Sequence, residues 1–408
     1  MEEKQMSNKQ KYLYLFFIAI GFRIAMYLIS ALIMAFQITD GSLTLEIFLS
    51  NWCKWDANHY INIATNGYKG AVEVCDTCRD ALLAKGVSPD VMQNGQHLFL
   101  VFFPLYPYVL GFFHLIFSDI RIAGMVLSTL AYAGGCVYMY RLVKLDYSEK
   151  VAVNSVILLS LFPFSFFFGG IMSEGLFFLV SAAMLYYIRS HKWWIAILFG
   201  ILATMSRMQG ALLIIPAGLE LLFTYRPWDM VKNKDYSKLK EMIGRGCSLL
   251  LMFIGTGVYL FINWSVDGLP FSFMIYQHSH WNQGACLPTK TLSYLFGNSF
   301  SANYDLQTRI SLWIPQAVLA IVSVAILVYG IKKLRAFHMG YGIAYVLLTY
   351  SATWLLSAGR YLSCCIPLFI VLALATEKKK WLMTVFITIF SILQTIYLVG
   401  YLNNMQIM

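Results

Sequence analysis

Long runs of apolar residues recur along the whole chain and limit what it can fold into. The first, residues 12–36, exceeds the roughly 20 residues that a helix needs to cross a bilayer. Only 12% of the residues are charged, about half of the ~25% usual in soluble domains. The chain is therefore expected to be an integral membrane protein with many helical spans.

The apolar runs predict an all-α, polytopic transmembrane bundle of about 10–12 spans, built as one domain over residues 1–408. The pair of runs within 193–224 is short, so it is expected to be tilted, broken or re-entrant. The candidate spans are residues 12–36, 121–140, 151–167, 175–189, 193–205, 210–224, 245–265, 311–330, 338–357, 361–375 and 381–402.

Segment 98–117 is apolar enough to span, but Pro104 and Pro107 disfavour a regular helix there. Lys and Arg concentrate in cytoplasmic loops, and most of them lie inside only if this segment does not cross. That arrangement puts the N-terminus inside, with Lys4, Lys9 and Lys11. It leaves two large outer loops, residues 38–97 and 266–310.

The formal charge of +10 fits basic cytoplasmic loops better than a nucleic-acid partner, since no binding module accompanies it. Cys75 and Cys78 form a CxxC in a polar loop. This is a weak metal signal, because a structural zinc needs four ligands, and a local disulfide is the alternative in an oxidising compartment. No metal and no cofactor are predicted.

Ionisable residues gather on the outward side. Asp56 and His59 are three apart and share a helical face. Glu174, Arg207 and Arg360 lie in or beside apolar runs, where charges are costly and usually face a cavity or a partner. Two structural alternatives stay open: Glu174 and Arg207 pair to hold helices together, or Asp56 caps a helix.

One carboxylate, several cationic groups and a membrane groove suit glycosyl transfer from a lipid-linked sugar. The carboxylate would act as general base on an acceptor hydroxyl, and fixed positive charge would stabilise the departing phosphate. Aromatic residues such as Trp55, Tyr60 and Trp281 could stack on sugar faces. The chain has no room for a soluble nucleotide-binding domain, which excludes a cytosolic nucleotide-sugar enzyme.

Several blocks resemble, in order, those of PIG-V-type mannosyltransferases, integral membrane enzymes of the GT-C superfamily. The first is "KWDANHYINIATNGY", which resembles the family's WDA-x-H-[F/Y] signature. The others are "VFFPLYPYVLG", "LFPFSFFFGGIMSEGLFFLVSA", "ATMSRMQGALLIIP", "FSFMIYQHSHWNQG" and "GRYLSCCIPLFI". The resemblance spans residues 50 to about 370, and Met172 stands where the family usually has Tyr.

The resemblance implies an inverting transfer of mannose or another hexose from a polyprenyl-phosphate donor to a glycan or glycolipid acceptor. It places the active site on the extracytoplasmic side of a multi-pass cell-membrane protein, or of the endoplasmic reticulum in a eukaryote. Asp56 matches the catalytic base, and Glu174, the second predicted catalytic residue, matches the family's second acidic residue. The predicted substrate-binding residues are Lys54, Trp55, His59, Tyr60, Arg207, Gln209, His280, Trp281 and Arg360.

Two other functions remain open. A secondary transporter or lipid flippase would use the same intramembrane charges as a solute or proton path. A non-catalytic scaffold would tolerate Asp56→Asn without loss of biological function. Membrane lipid is an expected partner in every case, and nucleic acid in none.

Overall fold

A computed structural model describes residues 7–38, 41–92 and 95–408 of the chain. Lys4 of the predicted inner N-terminus lies outside these ranges. The described residues form helices and loops, and their β-structure is limited to two isolated antiparallel bridges, Glu73 with Gln96 and Ala285 with Ala352. The all-α fold class predicted from the sequence is confirmed.

The described residues form twenty-one α-helices, joined by connections of different lengths. The first seven are α1 (Asn8–Gln37), α2 (Leu45–Trp52), α3 (Asp56–Gly70), α4 (Asp76–Leu83), α5 (Leu105–His114), α6 (Ile120–Asp146) and α7 (Glu149–Leu161). The next seven are α8 (Glu174–Arg189), α9 (Trp193–Ser206), α10 (Ile214–Tyr225), α11 (Pro227–Lys232), α12 (Tyr236–Leu249), α13 (Ile254–Asp267) and α14 (Ser272–Ser279). The last seven are α15 (Pro288–Phe300), α16 (Leu306–Thr308), α17 (Ile314–Gly330), α18 (Ala336–Thr349), α19 (Ala358–Ser363), α20 (Ile366–Thr376) and α21 (Lys380–Leu402).

Six helical stretches among the described residues are long and apolar enough to cross a membrane. They are Asn8–Gln37, Ile120–Asp146, Met208–Lys232, Tyr236–Asp267, Leu306–Gly330 and Lys380–Leu402. Three shorter apolar helices accompany them: α9, α18 and α20. This confirms a multi-pass membrane protein, while the count of 10–12 crossings and the inside–outside assignment stay predictions.

Helix α6 packs closely against α8 at the centre of the bundle. A Cβ atom on Gly175 would lie only 2.8 Å from the carbonyl oxygen of Ser128. Small residues let helix backbones approach closely in membranes, where apolar burial between helices supplies little drive. Gly175 directly follows Glu174, so this close contact also fixes the position of Glu174 relative to α6.

Segment 98–117 forms a short 3-10 helix, Leu98–Val101, and then α5. Ten residues of α-helix rise about 15 Å, half of the roughly 30 Å hydrocarbon core. The Tyr106 hydroxyl lies 2.9 Å from the Ser128 hydroxyl on α6. The short helix agrees with the prediction that this segment does not span, and its interfacial depth stays a prediction.

Three predicted spans proved too long. Predicted span 151–167 ends as helix at Leu161, because Pro163 has no amide hydrogen with which to continue it. Predicted span 338–357 ends at Thr349, and the chain beyond it pairs Ala352 with Ala285. Predicted span 361–375 starts as a separate helix only at Ile366, since Pro367 favours a helix start.

Arg23 lies in the middle of α1 with only 1% of its surface exposed. Its Nη1 donates to the carbonyl oxygen of Ser165 at 2.6 Å, and Nη2 donates to that of Ser160 at 3.4 Å. Its guanidinium also lies 4.2 Å from the ring centroid of Tyr132. Arg23 therefore satisfies backbone carbonyls freed where α7 ends and the chain unwinds towards Glu174.

Replacing Arg23 by methionine should lower the free energy of unfolding by about 1–3 kcal/mol, the usual cost of buried polar groups left without a partner. The measurement is the thermal unfolding midpoint of purified protein in detergent. Arg245→Met is a matched control, because Arg245 pairs with Glu241 on an exposed stretch of α12. Equal midpoints for both variants would show that Arg23 does not support the unwound segment.

Candidate functional site: a carboxylate–arginine cluster

Asp56 begins α3, directly after a sharp change in chain direction. Trp55 before it has a φ of 54°, in the left-handed region that a bulky side chain rarely adopts. The Oδ2 atom of Asp56 accepts a hydrogen bond from Nη2 of Arg360 at 2.9 Å. The Asp56 side chain keeps 34% of its surface exposed, so its carboxylate stays within reach of a ligand.

Glu174 begins α8 and lies behind Asp56 with no exposed surface. Its Oε1 atom lies 2.6 Å from Nη1 of Arg207 and 2.8 Å from Nη2 of Arg360. Its other oxygen, Oε2, is buried and has no hydrogen-bond partner among the described residues. Arg360 therefore bridges the two carboxylates, and Arg207 supplies a second guanidinium.

Helix breaks bring these four charges together. Glu174 follows the unwound stretch after α7, and Arg207 occupies an extended position, φ −160° and ψ 156°, between α9 and a 3-10 helix, Met208–Leu213. Arg360 lies on the short α19. Region 193–224 was expected to be tilted, broken or re-entrant; it is broken, and the break lies at Arg207.

Neighbouring side chains fix both guanidinium groups. The Ser173 hydroxyl accepts from Arg207 Nη1 at 3.3 Å and from the Tyr60 hydroxyl at 3.0 Å. Arg207 lies 4.9 Å from the ring centroid of Tyr361, and Arg360 lies 5.0 Å from that of Phe167. These contacts hold the arginines in place for an anion, since a rigid guanidinium matches carboxylate and phosphate geometry.

Met172, at the position where the sequence departs from the PIG-V-type pattern, lies against the same cluster. Its sulfur is 3.5 Å from Nη2 of Arg360. A thioether is only a weak acceptor, so Met172 contributes packing more than charge compensation.

An aromatic wall continues from the cluster. The His59 ring lies 4.8 Å from Phe99 and 5.1 Å from Phe102 between centroids, and Phe102 lies 6.3 Å from Trp281. His280 lies edge-to-face on Trp281 at 4.3 Å. The two predicted outer loops therefore meet beside Asp56, and this surface could stack against a sugar ring.

Burial lowers the pKa of His59, which outweighs the opposing effects of Asp56 and Glu73. At neutral pH the imidazole is therefore uncharged, because its ordinary pKa is already near 6.5. His59 can donate or accept a hydrogen bond there, but it supplies no positive charge to a phosphate.

Lys54, predicted to bind substrate, is held by the end of the last helix. Its Nζ atom donates to the carbonyl oxygens of Tyr401 at 2.8 Å and Leu402 at 2.9 Å. Burial lowers the pKa of Lys54 to about 8, while these two carbonyls at a helix C-terminus favour the ammonium form. In this structure Lys54 ties the first outer loop to α21.

Lys54→Met should destabilise the protein by about 1–2 kcal/mol, the usual contribution of such hydrogen bonds. Differential scanning calorimetry of the detergent-solubilised protein would measure it, with the exposed Lys238→Met as control. A Lys54→Met variant as stable as the wild type would mean that Lys54 is free to bind a ligand.

The structure brings together five of the predicted residues: Asp56, Tyr60, Glu174, Arg207 and Arg360. His59, His280 and Trp281 lie along the adjoining wall. The indole nitrogen of Trp55 is buried without a hydrogen-bond partner among the described residues, and Gln209, two residues after Arg207, is also buried. Four further residues of the site were not predicted from the sequence, although Ser173 and Tyr361 adjoin predicted residues: Ser173, Phe102, Phe167 and Tyr361.

A cation bridging Asp56 and Glu174 would have to displace Arg360, which already compensates both carboxylates. Among the described residues, three potential metal ligands come together elsewhere, at Cys75, Cys78 and His280. The structure joins Cys75 to Cys78 in a disulfide, as one of the two alternatives from the sequence anticipated.

Comparison with known proteins gives a partial family match. Residues 103–243 match the model of the dolichyl-phosphate-mannose-protein mannosyltransferase family. This region contains Glu174 and Arg207 but neither Asp56 nor Arg360. It covers less than half of the chain, and the PIG-V resemblance stays a prediction.

The chain is also similar to the crystal structure of ArnT from Cupriavidus metallidurans bound to undecaprenyl phosphate, with a TM-score of 0.46 and 12% sequence identity. The matched region covers 82% of this chain and 61% of ArnT. This chain therefore spans less than two thirds of the length of that protein. No curated protein matches the sequence.

Proposed function

We propose that this protein is a membrane glycosyltransferase that moves a hexosyl group from a polyprenyl-phosphate donor to an acceptor hydroxyl on the extracytoplasmic side. The carrying observation is the unequal exposure of the two carboxylates that share Arg360. Asp56 is one third exposed, and Glu174 is wholly buried. One carboxylate is thus available for chemistry, and the other anchors two guanidinium groups beside it.

In this mechanism Asp56 removes the proton from the acceptor hydroxyl, and the oxygen attacks the anomeric carbon. The bond between that carbon and the phosphate oxygen breaks, and its electron pair leaves with the polyprenyl phosphate. A single displacement of this kind inverts the anomeric configuration. Positive charge develops on the sugar in the transition state, as in glycoside hydrolysis, and the nearby Asp56 carboxylate favours it.

The leaving phosphate needs fixed positive charge, which Arg207 and Arg360 can supply. Arg207 keeps 11% of its side chain exposed and Arg360 keeps 4%, so we assign the first phosphate contact to Arg207. Glu174 is wholly buried, so its unpartnered Oε2 atom would reach a sugar hydroxyl only if the cluster opens when the donor binds. Phe102 and Trp281 would line the path of the sugar.

The partial match to a dolichyl-phosphate-mannose-protein mannosyltransferase family supports a polyprenyl-phosphate-linked donor and makes mannose the first sugar to test. Glucose is the second sugar to test, because the matched region contains neither Asp56 nor Trp281 of the aromatic wall. We propose a glycan or glycolipid as the acceptor, which is the class that the PIG-V resemblance implies.

The test uses purified protein in lipid nanodiscs with radiolabelled polyprenyl-phosphate mannose or glucose and an extract of host glycolipids. We expect label to pass from the donor into the acceptor fraction with release of polyprenyl phosphate. Liposomes containing the protein would be assayed in parallel for movement of the intact donor between leaflets. If the intact donor moves between leaflets and is not cleaved, the protein is a flippase and not a glycosyltransferase.

A further inference from the structure

A second cluster of reactive side chains lies on the outer loops, apart from the charged cluster. Cys75 and Cys78 flank the first turn of α4, and His280 follows α14, about two hundred positions later in the chain. The two sulfur atoms and a ring nitrogen of His280 all lie within 4.8 Å of one another. Sequence spacing revealed the CxxC pair but could not reveal this third ligand.

Hydrogen bonds around the cluster hold the three side chains close together. The Cys75 amide donates to Oε1 of Gln96 at 2.5 Å, and the Thr77 hydroxyl donates to the carbonyl oxygen of Ser279 at 3.4 Å. Helix α4 packs against α14 through this contact. The packing of α4 against α14 therefore places His280 beside the two cysteines.

The three side chains differ in burial: Cys78 is fully buried, Cys75 is half-buried and His280 is exposed. The protein thus contributes ligands from one side and leaves the other side open to water. Two thiolates and one imidazole with an open fourth position form a donor set that Zn²⁺ accepts in proteins.

We propose that Cys75, Cys78 and His280 form a zinc site that exists only when the Cys75–Cys78 disulfide is reduced. A dithiol reductant exchanges with the disulfide, so that its own two sulfurs become a disulfide and the protein gains two thiols. Zn²⁺ then displaces two protons and binds the thiolates and the His280 ring nitrogen, with water in the fourth position. Disulfide and metal exclude each other, since Zn²⁺ binds thiolates and oxidation to the disulfide removes both of them.

The redox state of Cys75 and Cys78 would then decide whether the metal joins the two outer loops to each other. With zinc bound, residues 266–310 are joined to the first outer loop through His280, whereas the disulfide joins only residues within that first loop. Trp281 is next to His280 and contacts Phe102. Metal binding would therefore hold the aromatic wall in place.

The test begins with protein reduced by a dithiol, freed of reductant by gel filtration and titrated with Zn²⁺ alone. We expect one equivalent of zinc per chain by mass spectrometry of the metal, with Cys75 and Cys78 protected from alkylation. Peptide mapping separates these two thiols from the exposed Cys247 and from the partly buried Cys53 and Cys286.

His280→Ala should weaken zinc binding at least tenfold, and Cys78→Ser should abolish it. His278→Ala is the matched control, because His278 belongs to the same loop but not to the cluster. His280 is exposed, so its variant keeps the proposal testable even where Cys78→Ser fails to fold. Zinc binding unchanged in His280→Ala, or a disulfide that the dithiol cannot reduce, would overturn the proposal.

Discussion

Asp56→Asn should lower the rate of glycosyl transfer by about 10²–10⁴-fold, the usual contribution of a positioned general base. Asparagine has the same shape but cannot accept a proton from the acceptor hydroxyl. Arg360 keeps its contacts to Glu174 in this variant, so the cluster retains a partner for its buried charge. The loss should therefore appear in kcat, with the thermal midpoint close to that of the wild type.

Single-turnover transfer from radiolabelled polyprenyl-phosphate mannose measures this effect without interference from product release. Asp80→Asn is the matched control, because Asp80 lies on the same outer loop with 74% of its side chain exposed. It should transfer sugar at the wild-type rate. If the Asp56→Asn variant keeps a tenth or more of wild-type activity, Asp56 is not the general base.

The helices were largely predictable because length and apolarity dictate membrane spans. Residues 381–402 predicted α21 almost to the residue, and 12–36 predicted most of α1. The errors arose where a span breaks for a local reason, as at Pro163 and Pro367. Apolar composition continues through such breaks, so a hydropathy pattern cannot locate them.

The site was predictable in its members but not in its contacts. Charges at membrane depth, together with the family resemblance, identified Asp56, Glu174, Arg207 and Arg360. The sharing of Arg360 by two carboxylates joins residues more than 180 positions apart, and only the tertiary fold reveals it. For Lys54, the structure reveals contacts to α21 that no local pattern encodes.

The structure also changes the weight of two alternatives from the sequence. Glu174 and Arg207 do pair, as the helix-holding interpretation required, whereas Asp56 does not cap α3, because Trp55 is the N-cap residue and no side chain caps this helix end. Neither finding excludes a role in chemistry, because Arg360 connects both residues into one cluster. Stability and activity must therefore be measured on the same variants.

Glu174→Gln should destabilise the protein by about 3–5 kcal/mol, the cost of breaking a buried ion pair from one side. The wild-type cluster balances Asp56 and Glu174 against Arg207 and Arg360. Glutamine leaves one positive charge in excess at a position with no exposed surface. The thermal or denaturant unfolding midpoint in detergent would report the loss.

The double variant Glu174→Gln/Arg207→Gln separates charge balance from chemistry, because it removes one charge of each sign. If Glu174 mainly anchors the arginines, the double variant should be more stable than the Glu174→Gln single variant, and the double-mutant cycle should show strong coupling. Transfer activity would remain low in the double variant, since Arg207 is then missing from the proposed phosphate contact. A stable Glu174→Gln variant that has lost all transfer activity would instead place Glu174 in the reaction itself, with its free Oε2 atom as the contact to substrate.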